Sequence, residues 1–321
     1  MKELAGRIAV VTGGGTGMGR ELTRQLAADG CQVAMCDVSA PNMEDTKALC
    51  GQASPTSKVS TFVADVSDKA QMRAFADHVA TAHSTPHINL LFNNAGIGGG
   101  GSIVVDGQEE WDKVFGICWG GVLNGTRAFL PMLLASSEGH VVNTSSVNGF
   151  WACLGPGIAH TAYSAAKFAV KGFTEALTVD FRLNAPHLKA SVVMPGHIGT
   201  SIVFNSGEAF GRNPKELKQE HIAQLRERLG RQGLDLGAAS DEDLRSMAVQ
   251  QAESFRDNAP TTAVEAATII LDRVKADKWR ILVGNDAHVL DEMVRRAPEE
   301  AYEQSFMDEI RAKNTFDFIP S

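Results

Sequence analysis

The sequence predicts an α/β protein, a parallel sheet covered by helices on both faces. Three observations carry that prediction. Short β-branched runs alternate with longer stretches of helical periodicity, and a glycine-rich loop separates the first run from the first helix. Hydrophobic residues make up 44% of the 321-residue chain and charged residues 21%, the balance of a globular protein with a sizeable core. Strict alternation of strand and helix requires crossover connections, which place helices over a parallel sheet.

In chain order, Arg7–Val11 reads as the first strand. A helix follows at Gly17–Asp29, with Met18, Leu22 and Leu26 at i, i+4 spacing, and Gly30 stops it. Strands at Gln32–Asp37 and Val59–Ala64 flank a helix at Met43–Cys50. Gln71–Ala82 is helical, Ile88–Phe92 is a strand, and Glu109–Ala135 is a long helix. A strand at His140–Thr144, a helix at Ala162–Leu183 and a strand at Lys189–Val193 continue the pattern. It breaks after Thr200. Residues 205–260 are mostly polar, with helical stretches at Leu217–Leu229 and Glu242–Ser254. A helix at Val264–Lys275 and a strand at Arg280–Val283 restore it, and Asp286–Lys313 reads as amphipathic helix. The expected organisation is one domain over 1–321, with a cap inserted at about 201–260 and a helical C-terminal extension at about 285–321.

The net charge of −8 disfavours a nucleic-acid or anionic-membrane surface as partner. Cys31, Cys36, Cys50, Cys118 and Cys153 are scattered, with no CxxC. Neither a disulfide framework nor a metal site is expected, and a reducing cytoplasm fits. Met1–Leu4 runs directly into the first strand, with no signal-peptide pattern. From Val114 to Ala135 the only charge is Arg127, close to the ~20 residues that span a bilayer. Gly116, Gly120, Gly121, Gly125, Asn124 and Pro131 in that stretch suit a buried or subunit-interface helix instead.

Thr12-Gly13-Gly14-Gly15-Thr16-Gly17-Met18-Gly19 joins the first strand to the first helix. Such a loop lets backbone amides and a helix N-terminus approach a pyrophosphate, since glycine has no Cβ in the way. A glycine cluster alone is weak evidence; the flanking strand and helix are the confirming context. The second strand ends at Asp37, just beyond the helix that the glycine loop opens. A carboxylate there accepts hydrogen bonds from a ribose 2′-hydroxyl and repels a 2′-phosphate. The plainer reading of Asp37 is a strand-end turn residue. With no Lys or Arg from Val38 to Thr46, NAD is favoured over NADP.

Tyr163 and Lys167 sit at i, i+4 spacing near the start of a helix, on one face. An isolated pair of this kind is more often a surface contact. Here it follows a strand ending Asn143-Thr144-Ser145-Ser146, whose last serine can face the same cleft. A neighbouring ammonium and an oxidised nicotinamide would favour phenolate and pull the tyrosine pKa down.

Together these segments resemble the short-chain dehydrogenases/reductases. The glycine loop is similar to their TGxxxGxG signature, contributed here by Gly13, Gly15, Thr16, Gly17, Met18 and Gly19. Asp65-Val66 resembles the adenine-contacting pair, and Asn93-Asn94-Ala95-Gly96 the NNAG element. Pro195-Gly196-His197-Ile198-Gly199-Thr200 resembles the PGxxxT segment that lines the nicotinamide. The resemblance spans residues 7–200. It implies a Rossmann-like doubly wound sheet in the order 3-2-1-4-5-6-7, an NAD cofactor held by these residues with Asp37 and Val38, and a catalytic set of Ser146, Tyr163 and Lys167. The implied reaction interconverts a secondary alcohol and a ketone, in a homodimer or homotetramer. A lyase or epimerase that uses the nucleotide transiently, or a non-catalytic dinucleotide sensor, are the alternatives.

Three departures bear on function. Cys118 stands where the family carries an asparagine in its long fourth helix. Ser146 and Tyr163 lie farther apart than is usual, and the extra length falls in Phe150-Trp151-Ala152-Cys153-Leu154-Gly155-Pro156-Gly157. The segment after Thr200 is long enough for a cap or lid. The expected substrate residues are Ser146, Phe150, Trp151, Tyr163 and His197, with His160, Phe204 and Phe210 as further wall candidates. Cap packing is an equally good reading of the aromatics. The lean is towards a bulky apolar substrate, aromatic or steroid-like.

Overall fold

The computed structural model describes residues 1–154, 159–231 and 239–313. Seven strands form one parallel sheet: β1 (Ile8–Thr12), β2 (Gln32–Asp37), β3 (Val59–Val63), β4 (Leu90–Asn93), β5 (Gly139–Thr144), β6 (Leu188–Pro195) and β9 (Arg280–Val283). Their spatial order is β3-β2-β1-β4-β5-β6-β9, the doubly wound order expected, with β9 as seventh strand. Two further strands, β7 (Ile198–Gly199) and β8 (Thr261–Thr262), pair separately.

The central strands are apolar on both faces because helices cover both. Ala9 and Val11 of β1 pack on one side with Leu22, Leu26 and Ile270. Val10 packs on the other with Phe75, Phe129 and Leu177. Alternation along the strand thus sends neighbouring side chains into two different cores. The covering helices are α1 (Gly17–Ala28), α2 (Ala40–Ala53), α3 (Lys69–Ala82), α6 (Thr161–Asn184) and α10 (Ala263–Lys275), with a fourth crossover that is not one helix. The long helix expected at Glu109–Ala135 is α4 (Gln108–Phe115), a π-helical turn at Gly116–Gly120, and α5 (Gly121–Leu134). An inserted residue in a helical ladder makes such a turn, and these commonly mark functional sites. Gly121 is needed there, since a Cβ would lie 2.6 Å from Val66 Cγ2.

The cap holds α7 (Ile202–Ala209), α8 (Gln219–Arg231) and α9 (Asp241–Asp257). Part of the segment expected to form it, 232–238, lies outside the described residues. The β7–β8 pairing brings the cap's entry and exit together, Ile198 opposite Thr261 and Gly199 opposite Thr262. The tail is two helices rather than one, α11 (Asn285–Arg296) and α12 (Gln304–Ala312). Pro298 explains the break: it cannot continue a helix and disfavours helical geometry in the residue before it. The expected extension over 314–321 falls outside the described residues. Among the described residues no helix is long and apolar enough to cross a membrane.

Candidate active site

The C-terminal ends of β1, β4, β5 and β6 meet at one edge of the sheet, and the candidate residues gather there. Thr12 Oγ1 accepts the backbone N–H groups of Asn94 (3.0 Å) and Ala95 (3.1 Å), tying the segment after β4 to the glycine loop. Contact is so close that a Cβ on Gly19 would lie 1.9 Å from the Gly13 carbonyl oxygen. Gly13 has a φ of +67°, and a Cβ there would lie 2.9 Å from Ala95 Cα. The Thr16 side chain makes no capping bond to α1, so the first amide N–H groups of that helix remain available to an anion. This cradle fits a pyrophosphate.

Asp37 sits beside the loop at the end of β2. Its Oδ2 accepts the Gly15 N–H at 3.0 Å and its Oδ1 the Ser39 N–H at 3.0 Å, which aims the carboxylate at the loop. Val38 follows it, 70% exposed. Asp65 folds onto its own turn, Oδ1 accepting the Ser67 N–H at 2.8 Å. Thr200 lies across from the loop, its Cγ2 3.1 Å from the position of a Gly17 Cβ. The Pro195–Thr200 segment therefore closes the other side of the cleft. Gly96 lies beside Lys167, whose Nζ would be 3.5 Å from a Cβ there.

Ser146, just beyond β5, has extended backbone and accepts the Asn148 N–H on Oγ at 3.1 Å. Lys167 is buried and donates from Nζ to the Thr144 carbonyl at 2.9 Å. Ser145 Oγ donates to the Lys167 carbonyl at 2.7 Å, so β5 and α6 are clamped at two points. Lys167 Nζ stands 5.3 Å from the Tyr163 ring centroid. Burial pushes the Tyr163 phenol up, against the downward pull of Lys167 and of its hydrogen bond with Ser146. The pull expected from the ammonium is present, but burial outweighs it. His160 stacks edge-on to Tyr163 at 4.7 Å between centroids, and burial holds its imidazole down at about 4, hence neutral near pH 7.

Cys118 lies in the π-helical turn, buried with Ala162 and Ala166 beside Tyr163. Its Sγ donates to the Ile97 carbonyl at 3.2 Å.

Several expected site residues turn elsewhere. Asn93 spends its side chain in the interior, donating to Thr126 Oγ1 (3.1 Å) and Asn143 Oδ1 (2.8 Å), so that side chain does not face a cofactor. Val66, Met18 and Ile198 pack into the two cores. Trp151, expected at the substrate, is 1% exposed and faces the tail, donating from Nε1 to the Ala301 carbonyl at 2.8 Å. Phe150 packs against the same tail cluster. His197, also expected at the substrate, is 5% exposed; its ring lies on Phe255 and Nε2 meets the Phe255 carbonyl at 2.7 Å. Phe204 is held between Lys215 and Arg256 in the cap. Phe210 does join the cluster around Tyr163. Residues 155–158, part of the long Ser146–Tyr163 interval, lie outside the described residues. Among the described residues no cluster of side chains could hold a metal ion.

Two residues escaped sequence reasoning. Asp286, buried at the start of α11, accepts the His197 N–H at 2.5 Å and so holds the Pro195–Thr200 segment from behind. Asn205 of α7 donates to Thr16 Oγ1. Nothing in local pattern marks either, because each acts across a long chain separation.

Comparison with known proteins agrees with this geometry. A family model described as short chain dehydrogenase matches residues 7–209. The chain is 36% identical to levodione reductase of Leifsonia aquatica over 219 residues, 67% of this chain and 79% of that one. It is 35% identical over 213 residues to a putative oxidoreductase, SadH, of Mycobacterium tuberculosis, covering 66% and 74% of the two chains. A short chain dehydrogenase/reductase from Burkholderia phymatum in complex with NAD superposes with a TM-score of 0.73 at 28% identity, over 94% of this chain and 95% of that one.

Proposed function

The chain belongs to the short chain dehydrogenase family, and from that premise we propose that it is an NAD-dependent dehydrogenase interconverting a secondary alcohol and a ketone. The observation that carries the reading is the convergence of Ser146, Tyr163 and Lys167 at the strand ends, beside the glycine cradle. A bound nicotinamide supplies the hydride acceptor or donor. The protein supplies the proton chemistry and the positioning.

Tyr163 takes the hydroxyl proton of the alcohol and returns it in the reverse direction. Burial opposes ionisation of the phenol, and the Lys167 ammonium beside the ring offsets that penalty. Ser146 Oγ accepts the Asn148 N–H and hydrogen-bonds Tyr163; with an alcohol or ketone seated between them, its hydroxyl turns to donate to the substrate oxygen and favours developing negative charge there. Lys167 donates to one carbonyl and retains two protons for a ribose hydroxyl and for passing charge outward.

The Asp37 carboxylate supports NAD over NADP, since it would accept from a ribose diol and repel a 2′-phosphate. Ile97, Ala162, Trp111 and Phe210 cluster around Tyr163 and support a bulky apolar substrate. Exposed Phe168, Val179 and Leu183 on α6 and Leu134 on α5 support a homo-oligomer. Buried thiols at Cys31, Cys36, Cys50 and Cys118 fit a reducing compartment such as the cytoplasm.

The test is a screen of secondary alcohols graded by size, following free NADH. Release of NADH in step with ketone supports the reading. Alcohol consumed with no net NADH would replace it with the transient-oxidant chemistry of a lyase or epimerase.

A further inference from the structure

The carbonyl of Gly15, in the middle of the glycine loop, is gripped from the side of α2. Arg20 reaches back from α1 and donates to it from Nε at 3.0 Å and from Nη2 at 2.6 Å. The Thr46 hydroxyl of α2, shared with the Asn42 carbonyl at 3.0 Å, stands 3.2 Å from the same oxygen. Arg20 Nε also donates to Thr46 Oγ1 at 3.1 Å, so the two donors steady each other. Asp37 accepts the Gly15 N–H, and both polar groups of that residue are therefore held. The fit is close: a Cβ on Gly15 would lie 2.9 Å from Asn42 Cβ.

The Gly15 carbonyl and the Thr16 N–H belong to one planar trans peptide, in which they point in opposite directions. Donors gathered on the carbonyl therefore turn the Thr16 N–H away from α2, and it meets no acceptor among the described residues. Beside it lies the first turn of α1, which no side chain caps. A cation near the start of a helix opposes the helix dipole, so Arg20 is a poor residue for α1 by itself. We propose that Arg20 is a positioning residue for the dinucleotide: by holding the Gly15 carbonyl it presents the Thr16 N–H to the pyrophosphate. The inference rests on the dinucleotide reading above. A loop this rich in glycine, left free, would have to be ordered by each ligand that binds it. Arg20 supplies that order beforehand. Its guanidinium is turned to the Gly15 and Asn42 carbonyls, so it acts through the peptide plane and not as a phosphate ligand.

Two variants test this. Arg20→Lys keeps the charge and loses the paired donors; Thr46→Val keeps the shape and loses the hydroxyl that steadies Arg20. Calorimetric titration with ADP-ribose, which carries a pyrophosphate, is compared with adenosine, which carries none. The Kd for ADP-ribose should rise about tenfold in Arg20→Lys and about threefold in Thr46→Val, the losses expected of a charged and of a neutral hydrogen bond. Adenosine should shift by less than about twofold in both. ADP-ribose binding left unchanged in either folded variant overturns the proposal. So does a loss that adenosine shares equally, which would mean only that the loop had come apart. Should Arg20→Lys fail to fold, Thr46→Val decides by the same pattern. A wild type that binds adenosine but no ADP-ribose would instead count against the cradle as a pyrophosphate site, and the role of Arg20 would fall with it.

Discussion

Asn205 Nδ2 donates to Thr16 Oγ1 at 2.9 Å, so the cap rests directly on the glycine-rich loop. The next residue, Ser206, accepts the Gly98 N–H on Oγ at 2.8 Å. Consecutive residues of α7 therefore touch two loops that border the cofactor cradle. Just past the end of α7, Arg212 pairs with Glu110 of α4, and Glu110 also accepts the Gly100 N–H at 3.0 Å. These contacts place α7 along the border of the cradle.

The cap should consequently exchange amide hydrogens faster than the sheet in the free protein, and slow when NAD and substrate are both bound. Asn205→Ala should speed NADH dissociation by less than about tenfold, as one such hydrogen bond is worth roughly 1 kcal/mol. Stopped-flow release of NADH measures it. An unchanged release rate together with unchanged exchange over 201–231 would make the cap a static cover.

Cofactor choice should follow Asp37. Wild type is expected to bind NAD far better than NADP, and Asp37→Ala to narrow the gap by removing both the ribose acceptor and the repulsion. That side chain also holds the Gly15 N–H, so the variant should lose some NAD affinity as well. Fluorescence titration with NADH and NADPH reads both effects, and equal wild-type affinity for the two would defeat the assignment.

Tyr163→Phe should lower kcat by about 10²–10⁴-fold, the range typical of a lost general acid or base. Cys118→Ala should cost less than about tenfold, under ~1.4 kcal/mol of barrier. The Cys118 thiol already donates to Ile97 and cannot hold a relay water as a carboxamide does. A loss in Cys118→Ala as deep as in Tyr163→Phe, in folded protein, would place the thiol on the proton path.

Stability should decline on acidification because of His140. This side chain is 1% exposed, and burial lowers its pKa from 6.5 to about 4. Between those values the unfolded chain takes up a proton that the folded protein refuses. The neutral imidazole thus favours the fold above about pH 6.5, and that contribution is lost as pH falls towards about 4, on the order of 3 kcal/mol in all. Urea midpoints at about pH 7.5 and about pH 5 should differ less in His140→Asn, which cannot titrate. An identical pH slope in the variant would assign the loss to other groups.

The outer face of α6 should form a subunit contact. Sedimentation at micromolar concentration is expected to show a dimer or tetramer, and Phe168→Asp to shift it towards monomer, since Phe168 is 41% exposed with Val179 and Leu183 on the same helix. A monomeric wild type would leave those residues without an explanation.

Features with a local or periodic signature were legible from the amino acids alone. Alternation of strand and helix carried the seven-stranded sheet, and Arg280–Val283 was recognisable as its last strand even after the whole of the cap intervened. Motif spacing pointed to Ser146, Tyr163, Lys167, the glycine loop and Asp37, and the fold brings them to one end of the sheet, because a turn, a helix face or a strand end depends on neighbours in the chain. Packing between distant segments settled the rest. Trp151 looked like a pocket wall and is buried against Ala301 instead; His197 looked like a substrate contact and is held between Asp286 and Phe255. An apolar ring or an imidazole has the same local preferences whether it faces a cleft or a helix that arrives much later in the chain. Asp286 shows the same limit from the other side: a carboxylate in the first turn of a helix is ordinary in sequence, and only packing turns it towards the His197 amide.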